Sequence, residues 1–142
     1  MKIVVTGTGY VGLVAGVCFA EKDYNVTCVD IDEEKIEKLS NGISTIYEEG
    51  LETLLKKNIK KGNLHFTTNY KEAYKDADVI FIGVGTPEEK DGSANLSYVA
   101  TVSRQIAETV GKNCLVDVKS TVPVGTNDKV ELFIKDSLVN DV

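Results

Sequence analysis

The sequence predicts an α/β fold, a doubly wound parallel sheet covered by helices, and three observations carry that expectation. Short apolar runs rich in Val and Ile recur along the 142 residues, each separated from the next by a segment with helical spacing of its apolar residues. One run, Asp78-Val79-Ile80-Phe81-Ile82-Gly83-Val84, is apolar almost throughout, as a central parallel strand buried on both faces requires. The amino-terminal stretch reads strand, glycine-rich turn, helix, and second strand ending on an acid.

Taken in order, Lys2 to Thr6 is the first strand, and Tyr10 to Lys22 is a helix with Val14, Cys18 and Phe19 on one side. Val26 to Asp30 is the second strand. Asp32 caps a helix running to about Ser40, which Asn41-Gly42 ends. A loop from Ile43 to Gly50 leads to a helix with Leu51, Leu54, Leu55 and Ile59 at helical spacing. Lys56, Lys57, Lys60 and Lys61 crowd its last turn, where they complement the helix dipole as a solvated face, and Gly62 closes it. Leu64 to Thr67 is the third strand, Tyr70 to Asp76 a short helix, and Asp78 to Val84 the fourth strand. A polar loop from Gly85 to Ala94 precedes a helix from Leu96 to Val110, then a fifth strand from Cys114 to Val118, then a helix after Pro123. There are no repeats, low-complexity segments or interdomain linkers. Right-handed crossovers then imply the strand order 3-2-1-4-5.

The turn itself is Gly7-Thr8-Gly9-Tyr10-Val11-Gly12, a G-x-G-x-x-G set between strand and helix. In a Rossmann-type sheet Gly7 allows the tight turn, Gly9 lets a pyrophosphate approach the backbone, and Gly12 lets the helix pack close to the sheet. The helix N-terminus then faces the diphosphate with unpaired N–H groups. Asp30 lies eighteen residues beyond Gly12, near the roughly twenty expected of the carboxylate that binds the adenosine ribose. A carboxylate there repels a 2′-phosphate, and Ile31, Asp32 and Glu33 follow it with no Arg. The expected cofactor is therefore NAD rather than NADP. The strand order reverses between strands one and four, so three segments converge on one crevice: Gly7 to Gly12, Gly83-Val84-Gly85-Thr86-Pro87, and Lys119-Ser120-Thr121-Val122-Pro123. Local chemistry alone suits Thr86-Pro87 and Ser120-Thr121 equally to capping; their place at the switch point favours cofactor contact.

Composition narrows the rest. The fractions are those of an ordinary soluble globular domain, and a net charge of −6 argues against nucleic acid or an anionic membrane as partner. No apolar run approaches the ~20 residues of a membrane span, and no signal-peptide pattern is seen. Cys18, Cys28 and Cys114 are widely spaced in apolar surroundings and read as buried core thiols of a reducing compartment, the cytoplasm, rather than disulfides, metal ligands or nucleophiles. His65 is the only histidine and alternates with Leu64 and Phe66, which places it on a solvated sheet face and excludes a metal site built on imidazoles.

Gly7 to Leu13, the Val29-Asp30 strand end, Ile46-Tyr47-Glu48-Glu49-Gly50-Leu51, Val84-Gly85-Thr86-Pro87 and Lys119-Ser120-Thr121-Val122-Pro123-Val124-Gly125-Thr126 together resemble the UDP-glucose/GDP-mannose dehydrogenase family. The resemblance covers essentially the whole chain and is nearest to the bacterial members that oxidise UDP-glucose. It implies oxidation of the sugar C6 alcohol to a carboxylate, giving UDP-glucuronate, in two hydride transfers to two NAD. By position it places the Val11 N–H on the pyrophosphate, Asp30 and Lys35 on the adenosine ribose, and Thr86 along the cofactor toward the nicotinamide. Thr121 falls near the nicotinamide and the reacting carbon, where the family's threonine positions a catalytic water. Tyr10, Gly85, Pro87 and Ser120 complete the cofactor-binding set. Glu49 departs from the family's usual Pro, Val118 stands where a Glu often does, and Asn95 replaces a frequent Asp.

The resemblance also implies parts with no counterpart here: a thioester-forming Cys, with a Lys and an Asp, in a C-terminal domain, a Glu in an Asn-Pro-Glu segment, and a sixth strand. The expectation is an N-terminal cofactor half of a longer enzyme, a sheet incomplete at one edge, and binding of NAD without turnover by the chain alone. The longer enzyme is expected to be a homo-oligomer acting on UDP-glucose or a related nucleotide sugar. A free-standing NAD-binding module and a different NAD enzyme, such as a short hydroxyacid dehydrogenase, are the alternatives.

Overall fold

A computed structural model of the chain describes residues 1–120 and 125–140, with side chains described to residue 135. Five strands, β1 (Lys2–Thr6), β2 (Asn25–Val29), β3 (Leu64–Thr67), β4 (Val79–Ile82) and β5 (Leu115–Val118), form one sheet in the order β3-β2-β1-β4-β5. All four pairings are parallel, with Val5 of β1 beside Cys28 of β2 and Phe81 of β4. The helices are α1 (Tyr10–Glu21), α2 (Glu33–Ser40), α3 (Leu51–Lys61), α4 (Tyr70–Lys75), α5 (Ser97–Thr109) and α6 (Thr126–Asn140). Class, element order and strand order are those the sequence implied.

Side-chain alternation along the strands builds a core on each face of the sheet. Ile3 and Val5 pack with Leu13 and Val17 of α1 and with Leu51 and Leu55 of α3. Val4, Ile80 and Ile82 point the other way, into a core with Tyr74, Val99, Ile106 and Val130 from α4, α5 and α6. Both faces of β4 are covered, though unequally: Ile80 and Ile82 are fully buried, whereas Val79 and Phe81 are half-buried. Phe81 stacks on Phe19 with ring centroids 4.9 Å apart. The strand is shorter than its apolar run: the Asp78 carboxylate accepts the Lys2 N–H at the entrance to the strand, and Gly83 already belongs to the turn beyond.

Three details differ from the sequence reading. The buried side of α1 is Gly12, Leu13, Gly16, Val17 and Ala20, while Val14 and Phe19 are only partly covered and Cys18 is exposed. Glycines select that side. A Cβ at Gly16 would stand 2.6 Å from the Cys28 sulfur, and one at Gly12 only 1.9 Å from the Gly7 carbonyl oxygen, so the helix rests on its glycines. Cys18 is therefore not a core thiol. Cys28 is buried, which pushes its thiol up to about 12, and Cys114 is half-buried. The lysines of α3 are exposed, as expected, and pair at the surface, Lys57 with Glu21 at 2.7 Å, Lys56 with Glu52 at 3.0 Å, and Lys61 with Asp23. Between them Asn58 is fully buried and donates to Glu21 and to the Leu54 carbonyl, both at 2.9 Å. His65 is exposed, as expected. No helix among the described residues is long and apolar enough to cross a membrane, and none of them gather into a cluster of metal-ligating side chains.

Candidate functional site

The site begins where β1 ends. The chain leaves the strand at Gly7, whose φ of 94° is a left-handed conformation, and the Gly7 N–H donates to the Val29 carbonyl of β2 at 2.7 Å. On the other side the turn presses against β4: a Cβ at Gly7 would stand 2.6 Å from the Gly83 carbonyl oxygen. Gly9 then caps α1, and nothing lies within 4 Å of where its Cβ would be. The turn is thus packed tight at Gly7 and Gly12 and open at Gly9, the position at which a phosphate would need room. The helix's own bonding starts with Leu13 N–H donating to the Gly9 carbonyl at 2.9 Å, so Tyr10, Val11 and Gly12 have no acceptor within the helix. With the positive end of the helix dipole, these groups favour an anion.

A cleft of about 600 Å³ opens above this turn. Gly7 and Gly9 line it from the turn after β1, Tyr10 and Val11 from the start of α1, Asp30 and Lys35 from the end of β2 and from α2, Gly85 and Thr86 from the segment after β4, and Ser120 from the end of β5. Nine of the sequence-predicted residues therefore meet in one hollow at the switch point of the strand order. Gly12 and Pro87 are not in its wall: Gly12 packs beneath the turn, and the Pro87 carbonyl accepts the Asn95 N–H at 2.8 Å. Thr121 lies outside the described residues. Ser120 lines the cleft but its hydroxyl donates to the Val84 carbonyl at 2.7 Å, which ties the end of β5 to the segment after β4.

Asp30 is the most elaborately held group. Its Oδ2 accepts from the Thr8 N–H at 2.9 Å and the Thr8 hydroxyl at 2.6 Å, its Oδ1 accepts from the Asp32 N–H at 3.0 Å, and the Lys35 ammonium stands 3.8 Å away. Burial alone would raise its pKa; the Thr8 hydroxyl, the two N–H groups and Lys35 outweigh burial and hold it below the ordinary value. The group is ionised where it would meet a ribose. Thr8, wholly buried, is a residue the sequence reading passed over. Its partner is twenty-two residues away, so no local spacing marks it.

The far wall was also unmarked. Tyr98, Thr101, Val102 and Gln105 of α5 face the cleft with Thr68 and Tyr70. The α5 set stands at helical spacing, a stripe visible in the sequence but indistinguishable there from an ordinary helix face. At the mouth, the Tyr10 hydroxyl donates to Glu48 at 2.6 Å, and that bond and the neighbouring negative charge raise the Tyr10 pKa. This bond joins the turn to the loop before α3. Lys119 sits with its ammonium 3.3 Å from Asp117 and 5.5 Å from the Phe81 ring centre.

Helix N–H groups for a diphosphate, an ionised acid at the end of the second strand and an open glycine between them define a dinucleotide-binding domain. The profile of the UDP-glucose/GDP-mannose dehydrogenase family, NAD binding domain, matches residues 1–141. The UDP-glucose 6-dehydrogenase YwqF of Bacillus subtilis is 49% identical over 142 residues, which is 100% of this chain and 32% of the relative. The UDP-glucose 6-dehydrogenase of Rhizobium meliloti is 49% identical over 138 residues, 96% of this chain and 32% of its own length. Among solved structures, a ternary complex of GDP-mannose dehydrogenase from Pseudomonas aeruginosa superposes with a TM-score of 0.94 at 40% identity, covering 98% of this chain and 33% of that one. The chain belongs to the UDP-glucose/GDP-mannose dehydrogenase family and forms its NAD-binding domain. It spans about a third of the length of the curated relatives it matches.

Proposed function

We propose that this domain is the N-terminal cofactor half of a longer dehydrogenase that oxidises UDP-glucose to UDP-glucuronate with two NAD. The observation that carries the reading is the pairing, in one cleft, of an open helix N-terminus with an ionised Asp30 and a neighbouring Lys35. The length of the relatives supports a second half. The names of several curated relatives at 46–49% identity, UDP-glucose 6-dehydrogenases, support the sugar.

When bound, NAD supplies the hydride acceptor. The chain's own residues bind and orient it. The Val11 N–H, with its neighbours in the first turn of α1, takes the pyrophosphate; Gly9 leaves the space; Asp30 and Lys35 hold the adenosine ribose. Gly85 and Thr86 follow the cofactor toward the nicotinamide, Ser120 lines the cleft beside them, and the resemblance gives Thr121 the positioning of a water. The longer enzyme is read as a cytoplasmic homo-oligomer, and the net charge of −6 supports the absence of nucleic acid or an anionic membrane as partner.

Positioning a sugar against a nicotinamide can supply roughly 7–11 kcal/mol of the barrier. The chain alone, without the groups that would hold the sugar, is expected to bind NAD and not reduce it in the presence of UDP-glucose. Calorimetric titration with NAD and NADP, then NADH absorbance with and without the C-terminal portion of the longer enzyme, tests this. Equal affinity for the two dinucleotides overturns the cofactor-site assignment. Steady NADH production by the chain, unchanged when Cys18, Cys28 and Cys114 are each replaced by Ser, overturns the half-enzyme reading.

A further inference from the structure

The Asp30 carboxylate has a limited number of acceptor positions, and the fold has already used most of them. A carboxylate offers about four lone-pair directions. Oδ2 receives two donors from Thr8, and Lys35 lies nearest to the same oxygen; Oδ1 receives only the Asp32 N–H. The Thr8 N–H is thereby turned away from the anion site of the glycine turn and toward the acid. Thr8 is wholly buried, whereas the Asp30 side chain keeps 12% of its surface exposed toward the cleft. One residue thus joins the turn that would hold a pyrophosphate to the acid that would hold a ribose, and fixes which carboxylate oxygen is left over.

We infer that Thr8 is a positioning residue for cofactor selection: it clamps Asp30 through Oδ2, so that Oδ1 alone presents one free acceptor position to a single ribose hydroxyl. The inference rests on Asp30 meeting the adenosine ribose, as proposed above. A clamped and ionised carboxylate has two consequences. It cannot rotate away from a 2′-phosphate, so NADP is excluded by fixed repulsion rather than by a side chain that could swing aside. It also protonates at a lower pH than it would without the clamp, because each donor from Thr8 favours the charged form.

The test compares the unmutated chain with Thr8→Val and Thr8→Ser by calorimetry against NAD, NADP and 2′-deoxy-NAD, between pH 4 and 8. Val keeps the β-branched shape and removes the hydroxyl; Ser keeps the hydroxyl. Thr8→Val is expected to weaken NAD by about 10-fold, the lower end of what loss of a hydrogen bond to a charged group costs, and to shrink the NAD/NADP ratio. It should also move the acid limb of NAD binding to higher pH. Thr8→Ser is expected to restore both the ratio and the acid limb. A folded Thr8→Val chain with the unmutated NAD/NADP ratio and pH profile overturns the inference. Should Thr8→Val fail to fold, carboxyl-carbon NMR of Asp30 in the unmutated and Thr8→Ser chains decides: a titration at or above the ordinary Asp value overturns it. If Asp30→Ala leaves NAD binding and selectivity untouched, the assignment of the ribose site fails instead, which separates the two outcomes.

Discussion

At the amino end of the sheet, charged groups satisfy one another; at the carboxyl end, the chain holds its acid chiefly with uncharged donors, Lys35 adding a longer ion pair, and leaves other donors without a helical partner. Asp78, just before β4, accepts the Lys2 N–H at 2.7 Å and the Lys112 ammonium at 2.7 Å, while the Lys2 ammonium pairs with Asp76 at 2.5 Å. These contacts close on themselves at the surface. At the opposite end, Gly7, Gly9 and Gly83 replace side chains altogether, and α1 starts with N–H groups it cannot use. Both ends carry aspartates with pKa values held low. At Asp78 the main cause is the lysine ammonium; at Asp30 burial opposes ionisation, and the hydroxyl and N–H of neighbouring residues overcome it. The difference teaches that an acid alone does not mark a site. What marks it is an acid whose donors leave an oxygen facing a cleft.

Four substitutions sharpen this contrast, beginning with the most disruptive. Gly12→Val should prevent native packing, since its Cβ would lie 1.9 Å from the Gly7 carbonyl oxygen, which is backbone and cannot yield. The expected loss exceeds ~3 kcal/mol, the upper end of ordinary overpacking, and a denaturant titration reads it. Gly9→Val meets nothing within 4 Å, so the fold should persist with a small fall in Tm while NAD binding is abolished; full NAD affinity in that variant would place the phosphate elsewhere.

Asp30→Ala should weaken NAD by roughly 1.5–3 kcal/mol, the cost of losing hydrogen bonds to a charged acceptor, and narrow the gap to NADP. Asp78→Ala, the mildest, should lower Tm slightly and leave NAD affinity unchanged. Any loss of cofactor affinity there would show that the two ends of the sheet are coupled. The pH dependence follows the same logic. The carboxyls of Asp30, Asp76 and Asp78 have folded pKa values below their ordinary ones, so their contribution to stability is complete above the ordinary carboxylate range and is lost as pH falls through the folded values. In Asp78→Ala the acid-side decline of Tm should be shallower.

The strand order was legible because the alternation of strands and helices leaves few topologies for a parallel sheet. Gly7, Gly9, Gly12 and Asp30 were legible because their duties depend on spacing within one short unit. Thr8 was not, because a threonine between glycines looks like any small turn residue until the strand that brings Asp30 beside it is in place. The face of α1 was misread for a related reason. Its sequence is apolar on nearly every side, so periodicity could not choose, and the choice fell to Gly12 and Gly16, which permit an approach that a side chain would block. Asn58 lay hidden in an apolar stripe because its partner Glu21 comes from another helix.

The sheet's hydrogen-bonded ladders run past the strand ends into the floor of the cleft: Gly7 N–H to the Val29 carbonyl at 2.7 Å, Gly83 N–H to the Thr6 carbonyl at 2.8 Å, and Lys119 N–H to the Ile82 carbonyl at 2.7 Å. The floor is therefore held by main-chain bonds of the sheet itself. A cofactor settling on it is expected to order little of this main chain, so that the entropic cost of immobilising loops, which commonly erodes affinity, should be small at the floor. Calorimetry over a range of temperatures should accordingly show a heat-capacity change that scales with the apolar surface covered, without the excess that accompanies folding of a segment upon binding. Amides of Gly7 and Gly83 should exchange with solvent deuterium nearly as slowly in the free chain as in the bound one.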